Sequence, residues 1–325
     1  AVCGALDRLD LFVVLKEAEN MSVSLRFMKW LLRAMKIKES YDRPIAEIEE
    51  TKKKRNRKMS FSLKPLNGQT VEEIRIGDRE VLIIRDGEGK SEKALLYLYG
   101  GGFSSEISGM EKKASVEYGK RSGRDVWIPR YPNVMDDGIT IRELYQMVLE
   151  TYRRMLGSYE AENIAVIGFS AGATLGLGMF EYNNTLPKPL PVPSLLIASS
   201  PACIPHTEEE LGKVQELADK DIMIPASFVH SIKEAMCHGE DLPGWMYEIT
   251  TGDFSNMPFT HIYYGSDEVL RASSDALTAA FEKAGSGYEL HIGNGMFHCY
   301  PAIRVIPECR AAFDEIVGYL RSQTL

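Results

Sequence analysis

The chain has no run approaching the ~20 consecutive apolar residues that a membrane-spanning helix needs, so no segment reads as a span. An excess of basic residues is missing too. Thirty-eight Lys and Arg stand against 46 Asp and Glu, a net charge of −8, which argues against a nucleic-acid partner. Cysteine is sparse: Cys3, Cys203, Cys237, Cys299 and Cys309 are scattered, odd in number and show no C-x-x-C spacing. That excludes a disulfide framework and a zinc-ribbon pattern, and it points to free thiols in a reducing compartment, hence the cytoplasm. The opening "AVCGALDRLDLFVVLKEAEN" carries acidic residues around a short apolar stretch and has no basic leading region, so it does not read as a secretory signal. Internal repeats and low-complexity tracts are absent. What remains, 44% hydrophobic and 26% charged residues over 325 positions, is ordinary for a globular enzyme with a large core. Composition does not fix the oligomeric state, for which a homodimer is the one candidate.

Two textures divide the chain. Residues 1–58 are helical and charged. In "SLRFMKWLLRAMKIK" the residues Leu25, Met28, Leu31, Leu32 and Met35 recur at i, i+3, i+4 spacing, which predicts an amphipathic helix. "IAEIEETKKKRNRK" follows with Glu49–Lys53 and Glu50–Lys54 pairs, the spacing of an exposed helix. The basic run from Lys52 to Lys58 reads first as a solvated helix end, and second as a contact for an anionic surface.

Residues 59–325 alternate between strand and helix patterns. Eight candidate strands stand out: "VEEIRIG", "EVLIIRD", "ALLYLY", "DVWIPR", "NIAVIG", "SLLIAS", "HIYYG" and "YELHI". Several are nearly continuous apolar runs, as parallel strands covered on both faces must be. With helical segments between them they predict an α/β fold with a mainly parallel sheet. The first two have no helix between them and should form an antiparallel hairpin at one edge. Residues 203–258 break the rhythm and read as an insertion with its own helices, part of a lid over the sheet.

"NIAVIGFSAGATLGLGMF" carries Gly168-Phe169-Ser170-Ala171-Gly172, a G-x-S-x-G pentapeptide between a strand and a small-residue helix. A sharp strand-to-helix turn of this kind lifts a serine hydroxyl above the sheet, and only small neighbours let the backbone pass. Ser170 is therefore the candidate nucleophile. It needs a base, and the base needs an acid to orient it. Of six histidines, His298 in "GNGMFHCYP" lies in a loop directly after the last strand, whereas His261 and His291 belong to strands and His206, His230 and His238 to the insertion. For the acid, "HIYYGSDEVL" puts Asp267 just beyond a strand's carboxyl end, where open α/β sheets collect their functional groups. Asp267 is preferred over its neighbour Glu268 because it is nearer the strand and shorter. The order Ser170, Asp267, His298 is the nucleophile–acid–base order of α/β-hydrolases.

"LYLYGGGFSSE" then gains a purpose. Acyl transfer builds negative charge on a carbonyl oxygen, and preorganised N–H donors lower that barrier by a few kcal/mol each, about 2.7–4 for one donor. Glycines allow the backbone to come that close. With these residues in place, the chain resembles the hormone-sensitive-lipase-like branch of the α/β-hydrolases, the fold-3 carboxylesterases. The family's HGGGF is matched by Tyr99 to Phe103, and its GDSAGG by Gly168 to Ala173. Tyr99 stands where the motif has histidine, Phe169 where it has an acidic residue, and Ala173 where it has glycine. The resemblance implies an eight-stranded sheet with helices on both faces and a helical cap made of the N-terminal segment and the insertion. It also implies the triad Ser170, Asp267 and His298, and oxyanion donors on the backbones of Gly101, Gly102 and Ala171. The expected activity is cleavage of short acyl or acetyl esters through an acyl-enzyme. No metal or organic cofactor is implied, and the expected partner is a small-molecule ester. An amidase or a deacetylase on the same triad is the alternative, as is a ligand-binding homologue without catalysis. Phe27, Met28, Trp30, Leu31, Phe228 and Trp245 are candidates to line an acyl pocket, or simply to pack.

Overall fold

The computed structural model describes residues 22–65, 68–87 and 89–322. The first 21 residues of the predicted N-terminal helical segment, and Cys3 with them, lie outside the described residues.

Three helices lead the described chain: α1 (Val23–Ala34), α2 (Ile37–Tyr41) and α3 (Ile45–Asn56). The Ser22 hydroxyl caps α1 by accepting the Leu25 N–H at 3.1 Å, satisfying one of the donors a helix start leaves open. Leu25, Met28 and Leu32 form its buried stripe, as the spacing predicts, while Phe27 and Trp30 remain 60% exposed and stack on each other.

The sheet contains β1 (Gln69–Ile76), β2 (Arg79–Asp86), β3 (Ala94–Leu98), β4 (Asp125–Pro129), β5 (Ile164–Phe169), β6 (Leu195–Ser199), β7 (Thr260–Gly265) and β8 (Tyr288–Gly293). Their spatial order is β1-β2-β4-β3-β5-β6-β7-β8. β1 and β2 form the expected antiparallel edge hairpin, β2 meets β4 antiparallel, and all further pairs are parallel. Every residue of β3 to β7 is buried, whereas β8, at the edge of the sheet, mixes half-buried and exposed residues. Each fully buried Leu or Ile there contributes roughly 1.5–3 kcal/mol.

Helices α4 (Gly109–Ser122), α5 (Ile141–Leu156), α6 (Ala171–Asn184), α9 (Ser274–Ala284) and α10 (Pro307–Ser322) alternate with the strands. Capping boxes Ser108/Glu111 and Thr140/Glu143 start α4 and α5, each pairing two otherwise open donors. The insertion carries α7 (Glu208–Ala218) and α8 (Ala226–Cys237). These join the N-terminal helices: Lys38 Nζ donates to the carbonyls of Ala218 and Asp221, Ser227 Oγ donates to Asp42, and the Tyr41 ring meets Phe228 edge-on at 4.7 Å. The two irregular regions of the sequence thus pack as one layer. Among the described residues, no helix is long and apolar enough to cross a membrane.

Candidate active site

Ser170 sits between β5 and α6 with φ +52 and ψ −124, a strained conformation for a residue with a Cβ. The strain is held by its surroundings. Ser170 N–H donates to the Ser199 carbonyl at 2.8 Å, and its own carbonyl accepts from Ala173 N–H. A Cβ on Gly172 would lie 2.1 Å from the Leu98 carbonyl oxygen, so β3 and the start of α6 touch as only glycine permits.

The Ser170 hydroxyl donates to His298 Nε2 at 2.9 Å. His298 Nδ1–H donates to Glu268 Oε2 at 2.6 Å. The acid beside the imidazole is therefore Glu268, and the expectation for Asp267 is corrected. Asp267 Oδ2 instead accepts from Lys29 Nζ of α1 at 2.5 Å. The reason lies in the turn after β7. Gly265 N–H at 2.7 Å and the Ser200 hydroxyl at 2.8 Å both donate to Glu268 Oε1, and Glu268 is completely buried. One carboxylate oxygen is thus fixed while the other faces the imidazole. Asp267, one residue earlier, leaves the turn on the opposite side toward α1, with its carboxylate partly exposed. Its other oxygen, Oδ1, accepts from the Ser266 hydroxyl at 2.8 Å, so both oxygens are engaged away from the imidazole.

The Ser200 hydroxyl also accepts from Cys299 N–H at 2.9 Å, so one side chain ties the acid to the histidine loop. Asp221, at the junction of α7 and α8, accepts from Val269 N–H at 2.8 Å and from Met223 and Ile224 N–H groups. It anchors the residue next to the acid to the insertion. Burial pushes the Asp221 carboxyl above its usual range despite those donors. Neither Ser200 nor Asp221 belongs to a sequence motif, so the sequence alone does not single them out.

Burial works against a charged His298, but the adjacent Cys299 sulfur, 3.5 Å from Nε2, and the Glu268 carboxylate favour it. The net direction is upward, well above the ordinary imidazole value.

The glycine run closes the other side of Ser170. Gly101 has φ +119 and Gly102 φ +62, and at Gly101 a Cβ would meet Ser105 Cβ at 2.7 Å. No protein acceptor meets the N–H of Gly101, Gly102 or Ala171 among the described residues, so all three remain available for a negative oxygen at the head of α6, where the helix dipole adds to them. Gly100 N–H is engaged by Glu111 Oε1 at 2.6 Å. Behind the loop, Lys52 of α3 is buried and donates to Ser105 Oγ and Tyr41 Oη, both at 2.7 Å, and Asn56 Nδ2 donates to the Ser104 carbonyl. The basic run read as a solvated helix end therefore begins with a buried brace for the glycine loop. Tyr99 stacks on Tyr131 at 4.2 Å, and the Tyr131 hydroxyl donates to the Tyr99 carbonyl. The Tyr99 hydroxyl is buried without a partner among the described residues, so it does not replace a histidine's hydrogen bonds.

A cavity of about 260 Å³ opens on Ser170, His298 and Gly100–102. Its walls are apolar: Phe103, Phe169, Ile224, Phe228, Ile232 and Leu270. Of the aromatic candidates, Phe228 is in the wall, whereas Phe27 and Trp30 face outward and Trp245 stacks on Tyr145 elsewhere.

A profile of the α/β-hydrolase fold family matches residues 95–302. The chain belongs to that family. An acetyl-hydrolase of Streptomyces hygroscopicus is 25% identical over 245 residues, covering 71% of this chain and 76% of that one. Among solved structures, an esterase/lipase from an uncultured bacterium superposes with a TM-score of 0.76 at 20% identity, covering 93% of this chain and 99% of that one. An esterase of the bacterial hormone-sensitive lipase family superposes with a TM-score of 0.75 at 19% identity and the same coverage. The fold is hormone-sensitive-lipase-like, as the glycine and serine motifs predict.

Proposed function

We propose that the chain is a serine carboxylic ester hydrolase with Ser170 as nucleophile, His298 as general base and acid, and Glu268 as the group that orients and charges the imidazole. The observation that carries this reading is the unbroken chain Ser170 Oγ, His298 Nε2, His298 Nδ1, Glu268 Oε2, at 2.9 and 2.6 Å. Ser170 Oγ attacks the ester carbonyl while its proton passes to His298 Nε2. The resulting oxyanion is received by the N–H groups of Gly101, Gly102 and Ala171. His298 returns the proton to the departing alcohol, and water, deprotonated in turn by His298, releases the acid from Ser170. Every proton and charge in this cycle is handled by the chain's own groups.

The apolar walls and modest volume of the cavity favour short acyl chains or acetyl groups. The N-terminal helices through residue 58 and the insertion at 203–258 serve as the cap that roofs it. The thiols of Cys203, Cys237, Cys299 and Cys309 are unpaired, which suits a reducing cytoplasm.

Turnover of p-nitrophenyl acetate, butyrate and decanoate, beside the matching p-nitroanilides, tests the proposal. The expected result is ester turnover that falls with chain length, weak amide turnover, and labelling by a fluorophosphonate that Ser170→Ala abolishes. Because the base acts when neutral and its pKa is raised, kcat/KM should climb with pH through an acid limb above 6.5. No turnover of any ester together with no labelling would refute it.

A further inference from the structure

Away from the cavity, the edge of the sheet gathers a second group of reactive side chains. In the parallel register of β7 and β8, His261 lies beside Glu289 and Tyr263 beside His291. Alternation along a strand puts all four on one face, the face covered by Glu315 and Tyr319 of α10. His261 Nδ1 lies 3.1 Å from His291 Nε2. Glu289 brings Oε2 to 3.4 Å from His261 Nδ1, and Oε1 to 3.8 Å from His291 Nε2.

We propose that His261, His291 and Glu289 form a binding site for a late first-row divalent cation, with zinc the best fit. Metal–ligand bonds of ~2.0–2.1 Å in a tetrahedral site set ligand atoms about 3.3 Å apart. The two nitrogens stand 3.1 Å apart, and Glu289 meets each with a different oxygen at 3.4 and 3.8 Å, so an ion fits once the half-exposed Glu289 side chain turns one oxygen toward both. Two imidazole nitrogens and a carboxylate oxygen are borderline donors that suit zinc, copper or nickel and discriminate against calcium and magnesium.

A hydrogen bond between the histidines accounts for one proton between two nitrogens, but not for the carboxylate that converges on the same point. Three lone-pair donors sharing a single proton form a cation's environment. Both rings are also held in place. Tyr319 stacks on His261 at 3.8 Å and Tyr263 on His291 at 4.3 Å. Cation binding puts the ring protons on His261 Nε2 and His291 Nδ1. The latter lies 4.0 Å from Glu315 Oε2, which accepts from the Tyr263 hydroxyl at 2.8 Å, so a small shift would be needed before Glu315 could orient the ring. Because the ligands come from two adjacent strands, the ion would staple β8 to β7 and stabilise the fold by mass action.

Isothermal titration of zinc chloride into the full chain, freed of metal with EDTA, tests this. One equivalent should bind and raise the thermal midpoint. His291→Gln and Glu289→Gln should each weaken that binding at least about tenfold, while His206→Gln, at a separate His–Glu pair at the start of α7, should leave it unchanged. Glu289 is an exposed side chain, so its variant folds independently of any defect at His291. Cobalt bound to the unaltered chain should show a tetrahedral visible spectrum without a sulfur charge-transfer band. Absence of one-equivalent binding, binding that survives both substitutions, or a sulfur band would overturn the proposal.

Discussion

Glu268 is wholly enclosed against His298, while Asp267 next to it meets Lys29. The two carboxylates should therefore fail in opposite ways when neutralised. Glu268→Gln keeps the volume but removes the charge that favours the imidazolium and fixes its tautomer. On the proposed mechanism kcat should fall by roughly 10³–10⁴, with a smaller change in KM. Asp267→Asn should leave kcat within about threefold, as a surface-directed group outside the proton chain. It should instead lower stability by about 1–3 kcal/mol, because the buried Lys29 ammonium loses its carboxylate. Ester kinetics and urea unfolding on both variants check this; a large kcat loss in Asp267→Asn with Glu268→Gln near normal would restore Asp267 to the acid's place. At this scale the sequence is legible only in part. Ser170 and His298 are marked by local surroundings that only a strand-to-helix turn and a post-strand loop provide. The choice between adjacent acids depends on where Gly265 N–H and the Ser200 hydroxyl point, and Ser200 lies 68 residues away along the chain.

α6 carries a similar hidden cost. A small-residue helix after Ser170 is readable from "AGATLGLGMF", but Glu181 near its end looks like an ordinary polar residue and is 1% exposed. Neither of its carboxylate oxygens has a hydrogen-bond partner among the described residues. Burial first, and Asp253 second, raise its pKa well above the usual carboxyl value. The sign follows from linkage. A carboxyl whose folded pKa is raised binds a proton in the folded state that the unfolded chain has already released. Stability is therefore lost as pH rises from the unfolded pKa toward the folded one, by at most about 1.4 kcal/mol per pH unit. Glu181→Gln is neutral in both states and escapes that loss. Its thermal midpoint should match or trail the wild type near pH 5 and exceed it at pH 8, by roughly 2 °C or more. A gap between the two proteins that stays constant from pH 5 to pH 8 would falsify the assignment. Helix existence follows from local periodicity, whereas the isolation of one carboxylate comes from packing against the chain around Gly252, whose added Cβ would strike Glu181 Oε2.

Across the whole molecule, the continuous apolar strands made the parallel sheet and its edge hairpin readable, because burial on both faces dictates composition. The layer above the site was readable only as irregularity. Its shape depends on contacts between segments far apart in sequence: α2 against the end of α7, Tyr41 against Phe228, and Lys29 against Asp267. That layer sets the size of the cavity. Phe228, from α8, is the point where it presses closest to the glycine loop, since a Cβ on Gly102 would lie 2.9 Å from the Phe228 ring. The ring is 6% exposed and held by Tyr41, so it is a fixed wall and not a swinging gate. Removing it should extend the apolar space at the reacting carbonyl without touching Ser170, His298 or Glu268. Phe228→Ala should then raise kcat/KM for p-nitrophenyl decanoate relative to acetate by at least about tenfold, the effect of one or two accommodated methylenes. The same substitution should lower stability by about 3–5 kcal/mol, as loss of a buried aromatic ring does, so the ratio is measured well below the variant's melting point. If the decanoate-to-acetate ratio is unchanged while the variant remains folded, the acyl chain does not pass under α8, and the roof formed by the two irregular segments binds the alcohol side of the ester instead.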